Sequence, residues 1–253
     1  IDVSLVGSEM CIRDRWSIAP KLTEANTSQF NLELTSRCPV SDVEVTHQFT
    51  LDPTHSVLCL SVSVRNLSDQ ATLFIDNCAA TLQLPDHLTE LEEVTGRWAT
   101  EFQNQRHAIT RSAYVRENWT GRSSHHMNPT LTLFEKTTCA SHGDALGVHL
   151  GWSGNHQIRV ESLADGRQML PAGELLRPGE LELGPGEEYE SPRLYLCHSS
   201  HGQNGLTRQW HQMIRREFIS KQRPASTRRP VQLNTWEALY FGCLLYTSPS
   251  PRD

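Results

Sequence analysis

No apolar run in these 253 residues approaches the roughly 20 that a bilayer-spanning helix needs, which excludes a helical membrane span, and no membrane partner is expected. Basic residues are also scarce. Lys and Arg number 23 against 29 Asp and Glu, giving a formal charge of -6, whereas nucleic-acid binding asks for a basic face. The single basic run, residues 223–229, is short and bounded by Pro, and reads as a solvated linker. Cys-x-x-Cys is absent. With Cys11 and Cys243 set aside for the reason given below, Cys38, Cys59, Cys78, Cys139 and Cys197 make an odd set, which fits buried free thiols in a reducing, cytoplasmic compartment better than a disulfide framework. A Gly-x-Ser-x-Gly elbow is missing too, so nothing organises the many Ser, His and Asp residues into a triad.

The two ends carry a pattern of their own. Codons for residues 5–14, LVGSEMCIRD, can be chosen so that their reverse complement encodes the end of residues 243–253, CLLYTSPSPRD. The pair resembles a translated sequencing adapter, so residues 1–15 and 243–253 are set aside from fold reasoning. Residues 1–15 hold two Arg against Asp2, Glu9 and Asp14, and the tail balances Arg252 against Asp253; the remainder therefore carries -5.

Between residues 31 and 199 the pattern is β throughout. Val43, Val45, His47, Phe49 and Leu51 alternate with polar residues, and Leu58, Leu60, Val62 and Val64 repeat the period after Asp52 and Pro53. Further strands are expected over 71–75, 108–115, 130–135, 146–152, 158–162, 179–183 and 193–198, with breaks at 171–173, 178–179 and 184–188. Many short strands at near-regular spacing predict a large antiparallel β-sandwich over residues 16–200. The period then changes. Leu206, Trp210, Ile214 and Phe218 step by four, with Met213 in the adjoining row, which predicts an amphipathic helix over 206–220 capped by Asn204 and Gly205 and stopped by Pro224. Residues 201–228 form a linking helix and connector. Residues 229–241, RPVQLNTWEALYF, read as one short buried strand with polar and aromatic groups at its far end, as a (β/α)8-barrel strand carries them. A Trp there offers a flat apolar face on which a sugar ring stacks.

Other constellations read as structural. GRSSHHMNP at 121–129 places His125 beside His126, but neighbours on a strand point to opposite faces, and no carboxylate or Cys lies at ligand spacing; no metal or other cofactor is expected. That loop is expected to order the sandwich or its contact with a barrel. His198-Ser-Ser-His201 falls where a strand gives way to a helix, a capping position. Gly96-Arg97-Trp98 with Glu101 admits two readings, a sugar-binding platform or, as favoured, a Trp held in the core with Arg97 stacked on it. Glu90, Glu92, Glu93, Glu187, Glu188 and Glu190 look like solvated turns and strand edges.

Seven islands, in order, resemble family 36 glycoside hydrolases, the α-galactosidases: Leu84-Pro85, Gly96-Arg97-Trp98, GRSSHHMNP, Trp152-Ser-Gly-Asn155 (where the family has Tyr in a Tyr-Ser-Gly-Asn hairpin), SPRLYLCHSS at 191–200, the 205–216 helix, and RPVQLNTWEALYF. The resemblance implies a mainly β fragment, with an antiparallel β-supersandwich at 16–200, a linking helix, and the first strand of a truncated (β/α)8 barrel at 229–242. It implies retaining hydrolysis of terminal α-galactosides such as melibiose and raffinose, in which one carboxylate forms a galactosyl-enzyme and a second carboxyl about 5 Å away works as acid and then base. In the family both are Asp on later barrel strands, so no catalytic residue is expected here and the fragment itself should be inactive. Only Trp236 carries over, as an aromatic wall of the galactose subsite, with Asn234 as a weaker candidate that holds the strand end. The expected partners are α-galactoside oligosaccharides and, in the full-length enzyme, further copies in a homo-oligomer. A galactosyltransferase of the same clan, a non-catalytic carbohydrate-binding or assembly sandwich, and a mutarotase-type isomerase with a His and Glu pair in the β cleft are the alternatives.

Overall fold

A computed structural model describes residues 18–219 together with Val231, Gln232 and Asn234. Among the described residues of the first of two units, which spans 1–213, sixteen strands follow one another: β1 (Lys21–Thr27), β2 (Asn31–Cys38), β3 (Val43–Asp52), β4 (Val57–Asn66), β5 (Leu73–Ile75), β6 (Ala79–Leu84), β7 (Leu88–Arg97), β8 (Thr100–Ala108), β9 (Ala113–Asn118), β10 (Thr130–Glu135), β11 (Ala145–Leu150), β12 (His156–Ser162), β13 (Gln168–Glu174), β14 (Leu181–Leu183), β15 (Glu188–Glu190) and β16 (Leu194–Ser199). Ten of them form one antiparallel sheet in the order β1-β2-β3-β4-β16-β11-β10-β7-β8, with β15 also on β4. A second sheet runs β6-β13-β12-β9, and β14 pairs β5.

The alternation that marks β3 and β4 is the inward row of this sandwich. Val43, Val45, Leu60, Val62 and Val64 are sealed from solvent and share one core with Leu91, Leu133, Val148 and Leu194. The smaller sheet contributes Ala80, Leu84, Ile158, Val160, Leu170 and Ala172 to the same core. Each such Val, Leu or Ile is worth about 1.5–3 kcal/mol when fully buried, so the two sheets hold each other.

A second, smaller cluster lies on the sheet's other side. Val57, Phe134, Ala145 and Cys197 pack there with Leu206 and Met213 of helix α1 (Gly202–Met213), and Trp210 adds to the contact. The close approach needs glycine on both partners. A Cβ on Gly147 of β11 would meet the Trp210 indole nitrogen at 2.6 Å, and one on Gly205 would collide with the Ser199 hydroxyl.

Several expectations are corrected. The helix begins four residues earlier than its apolar row suggests, because backbone carbonyls of Gly143, Cys139 and Ala140 accept from the amides of Gly202, Gln203 and Asn204. Asn204 and Gly205 therefore lie inside the helix and are not its cap. The expected strand over 108–115 is two strands. The chain leaves the edge of the large sheet after Ala108 and joins the edge of the small one at Ala113. Pro171 and Gly173, expected in a break, sit inside β13. Pro171 pairs Thr81 of β6, while its register with β12 lapses between Ala172 and Met169, where a missing N–H does no harm. Trp152–Asn155 is not a hairpin; residues 151–155 carry the chain from the large sheet to the small one.

In the second unit, beginning at Ile214, Ile214–Ile219 form a π-helix with Ile214 and Phe218 exposed. The strand expected over 229–242 lies outside the described residues except for Val231, Gln232 and Asn234, none of which is in regular structure.

Candidate functional site

Three of the motifs converge at the ends of β7, β9, β10 and β11. The loop 119–129 and the turn 151–155 both cross between sheets and are bonded to each other. Ser123 N–H donates to Ser153 O at 2.7 Å, the Ser123 hydroxyl to Trp152 O at 3.3 Å, and Gly121 N–H to Asn155 Oδ1 at 2.8 Å. Buried Asn118, at the end of β9, donates to Arg122 O at 2.8 Å, and Asn128 donates to Val94 O at 3.3 Å. Ser, Asn and Gly recur here because a crossover has no ladder of its own, so side-chain amides and hydroxyls must satisfy its backbone groups. The His125 and His126 rings lie 4.2 Å apart, and among the described residues no group of three His, Cys, Asp or Glu gathers as a ligand set.

Beneath the loop lies a charge network that sequence reasoning missed. Arg116 of β9 is 3% exposed. It donates to Glu93 Oε2 at 2.8 Å, to Val94 O at 2.6 Å and to His126 O at 3.3 Å. Tyr114 donates its hydroxyl to the same carboxylate oxygen at 2.7 Å, and His107 Nε2 lies 3.3 Å from Glu93 Oε1. Burial, with the Glu93 charge beside it, lifts the Tyr114 phenol above its ordinary range, so it stays a donor. Glu93, His107 and Tyr114 line a cavity of about 240 Å³ floored by Leu91 and Ile109. A His and Glu pair is thus present, but its carboxylate is already taken by Arg116 and Tyr114. Glu90 is held by Arg106 at 2.6 Å. These two glutamates are structural anchors, not the solvated edge groups expected of them; Glu90 is held within the β7–β8 hairpin, and neither β7 nor β9 alone shows that Glu93 meets Arg116 across the sheets.

The hairpin of β7 and β8 corrects a second expectation. A Cβ on Gly96, at φ +151°, would meet Thr100 O at 2.5 Å, and Ala99 and Phe102 adopt left-handed φ of 65° and 54°. The Ala99 amide donates to Glu101 at 2.8 Å and holds that carboxyl below its usual range. Trp98 is 85% exposed and Phe102 65% exposed. Trp98 is therefore not a core anchor, and Arg97 bonds Thr100 instead of stacking on it. The reason is the position of β8, the outer strand of the large sheet, which is exposed along almost its whole length.

Of the residues expected to touch sugar, Asn234 is exposed and Trp236 lies outside the described residues. The described cysteines correct one further expectation: all five are free, but only Cys38, Cys78 and Cys197 are buried, and Cys59 and Cys139 are partly exposed.

Comparison with known proteins matches residues 19–184 to the glycosyl hydrolase family 36 N-terminal domain and residues 188–245 to the melibiase family. An α-galactosidase of Escherichia coli is 38% identical over 210 residues, covering 83% of this chain and 29% of its own length. The solved α-galactosidase AgaA of Geobacillus stearothermophilus superposes with a TM-score of 0.76 at 25% identity, over 84% of this chain and 29% of that one. A variant of AgaA solved with raffinose gives 0.79 at 22% identity over 88% and 34%, a likeness of fold. The chain spans less than a third of the curated relative's length. With one family model covering most of its sandwich and a second continuing from residue 188, the chain belongs to glycoside hydrolase family 36.

Proposed function

We propose that these residues are part of a retaining α-galactosidase that removes terminal galactose from α-galactosides of the melibiose and raffinose type. The observation that carries this reading is the continuity of the family matches, which run from residue 19 to 184 and from 188 to 245 in one order. Residues 16–200 serve as the β-supersandwich, 201–228 as linking helix and connector, and 229–242 as the first barrel strand. Trp236 forms a wall of the galactose subsite and Asn234 holds the strand end. The nucleophile and the acid/base carboxyl belong to later barrel strands, about 5 Å apart as retention requires. The exposed Trp98 and Phe102 support self-association into a homo-oligomer, and the five free cysteines support a cytoplasmic location.

The test uses two proteins. The purified 253-residue chain should leave a nitrophenyl α-galactoside intact, and turnover by it overturns the assignment of roles. Residues 16–242 fused in place of the matched segment of the Escherichia coli relative should support turnover. In that fusion Trp236→Ala should lower kcat/KM roughly ten- to a hundredfold with an unchanged melting temperature, since a stacking surface is lost from substrate and transition state alike. A lower melting temperature with near-normal kinetics would instead make Trp236 a packing residue.

A further inference from the structure

The turn between β10 and β11 holds a nucleophile beside a base, away from the loops described above. Cys139 Sγ lies 3.1 Å from His142 Nδ1, and the Ser141 amide donates to the same sulfur at 3.4 Å. The Ser141 hydroxyl is 3.7 Å away. The sulfur is only partly covered and His142 is exposed, so a small reagent can reach both. Amide donors at a sulfur stabilise the thiolate over the thiol, and a nitrogen within hydrogen-bond reach can take the proton. The amides of Ser141 and then His142, with the Ser141 hydroxyl, hold this thiol below its ordinary range.

The other described cysteines lack this combination. Burial pushes the thiols of Cys78 and Cys197 up to about 12. Cys59 is partly exposed, but burial raises it as well. Cys38 is opposed by burial yet lowered overall by hydrogen bonds from Ala19 and Ser41, and it is only 5% exposed, so no reagent reaches it.

We infer that Cys139 is a thiol-modification site that takes low-molecular-weight disulfides and soft electrophiles, with His142 receiving the thiol proton. In the exchange step the Cys139 thiolate attacks one sulfur of the disulfide. That S–S bond breaks as a new one forms to Sγ, and the departing thiolate takes up a proton, so the number of disulfides is unchanged. The adduct would sit on the turn whose Cys139 and Ala140 carbonyls accept from Gln203 and Asn204 at the start of α1, at 3.2 and 2.9 Å.

Native 253-residue chain is exposed to limiting iodoacetamide and, separately, to oxidised glutathione, and each cysteine peptide is followed by mass spectrometry. Cys139 should react at least about tenfold faster than Cys59 with both reagents. Equal rates at Cys139 and Cys59 overturn the proposal, and this comparison needs no variant. His142→Ala, a change on an exposed turn, should slow Cys139 about tenfold and leave Cys59 unchanged. An unchanged Cys139 rate in a folded His142→Ala chain removes His142 from the mechanism and overturns the proposal as stated.

Discussion

Single residues set most of the cost of disturbing this sandwich. Glu93→Ala strips Arg116 of its counter-charge while the guanidinium stays 3% exposed, a change that costs about 3–5 kcal/mol when a buried pair is broken from one side. Urea denaturation measures it, and a loss below about 1 kcal/mol would mean that Arg116 finds water. Trp98→Ala makes the opposite case: at 85% exposure the stability change should stay within about 0.5 kcal/mol by the same measurement. Titration adds a third effect. Burial lowers His47, His149 and His156 below their ordinary range. A His with a depressed folded pKa stabilises fully above its unfolded value of about 6.5, and that contribution is lost as pH falls through the folded one. The melting temperature should therefore drop between about pH 7 and about pH 5, and His47→Leu should make the drop shallower. Identical slopes in both proteins would show that His47 takes no part.

At the scale of elements, helix α1 and β11 fit only while Gly147 stays a glycine. Gly147→Val places methyl groups where Trp210 and Leu206 lie, and overpacking of this kind costs about 1–3 kcal/mol. Near-UV circular dichroism should report a changed Trp210 environment alongside the lower stability; an unchanged spectrum would show that the helix does not rest there. How far such elements were legible follows from burial. β3, β4 and β10 stand out in the sequence because the row facing the shared core is apolar and largely buried while the residues between are mostly polar, which writes a period of two. β1 is exposed at all seven positions and β8 at eight of nine, so neither has a buried row to read. Pro171 hides β13, since the tolerance for a missing N–H depends on a neighbour that sequence spacing cannot locate. The glutamate network was hidden for a similar reason. Glu93 and Arg116 are 23 positions apart and meet only when two sheets close. Motifs, by contrast, were legible as strings: the 121–129 loop, expected to order the sandwich, is hydrogen-bonded to residues 152–155, but that it crosses from one sheet to the other was not readable from its residues.

For the molecule as a whole, the shared core of the two sheets implies one cooperative transition for residues 18–213. Ending the chain after Ile219 should leave the midpoint of that transition within about 1 °C, below the roughly 2–4 °C that about 1 kcal/mol produces in a domain this size. Calorimetry on both lengths tests this, and two resolved transitions in the shorter chain would contradict it. The strand order also sets a clock. β4 needs β16 as its neighbour, yet Leu194 leaves the ribosome roughly 130 residues after Asn66, which at about 5–20 residues per second is a delay of about 6–26 s. Through that interval the edge of β4 is open to any other strand in the cell. An unpaired edge of that kind is an aggregation site while it lasts, so slowing translation between residues 66 and 194 should raise the insoluble fraction.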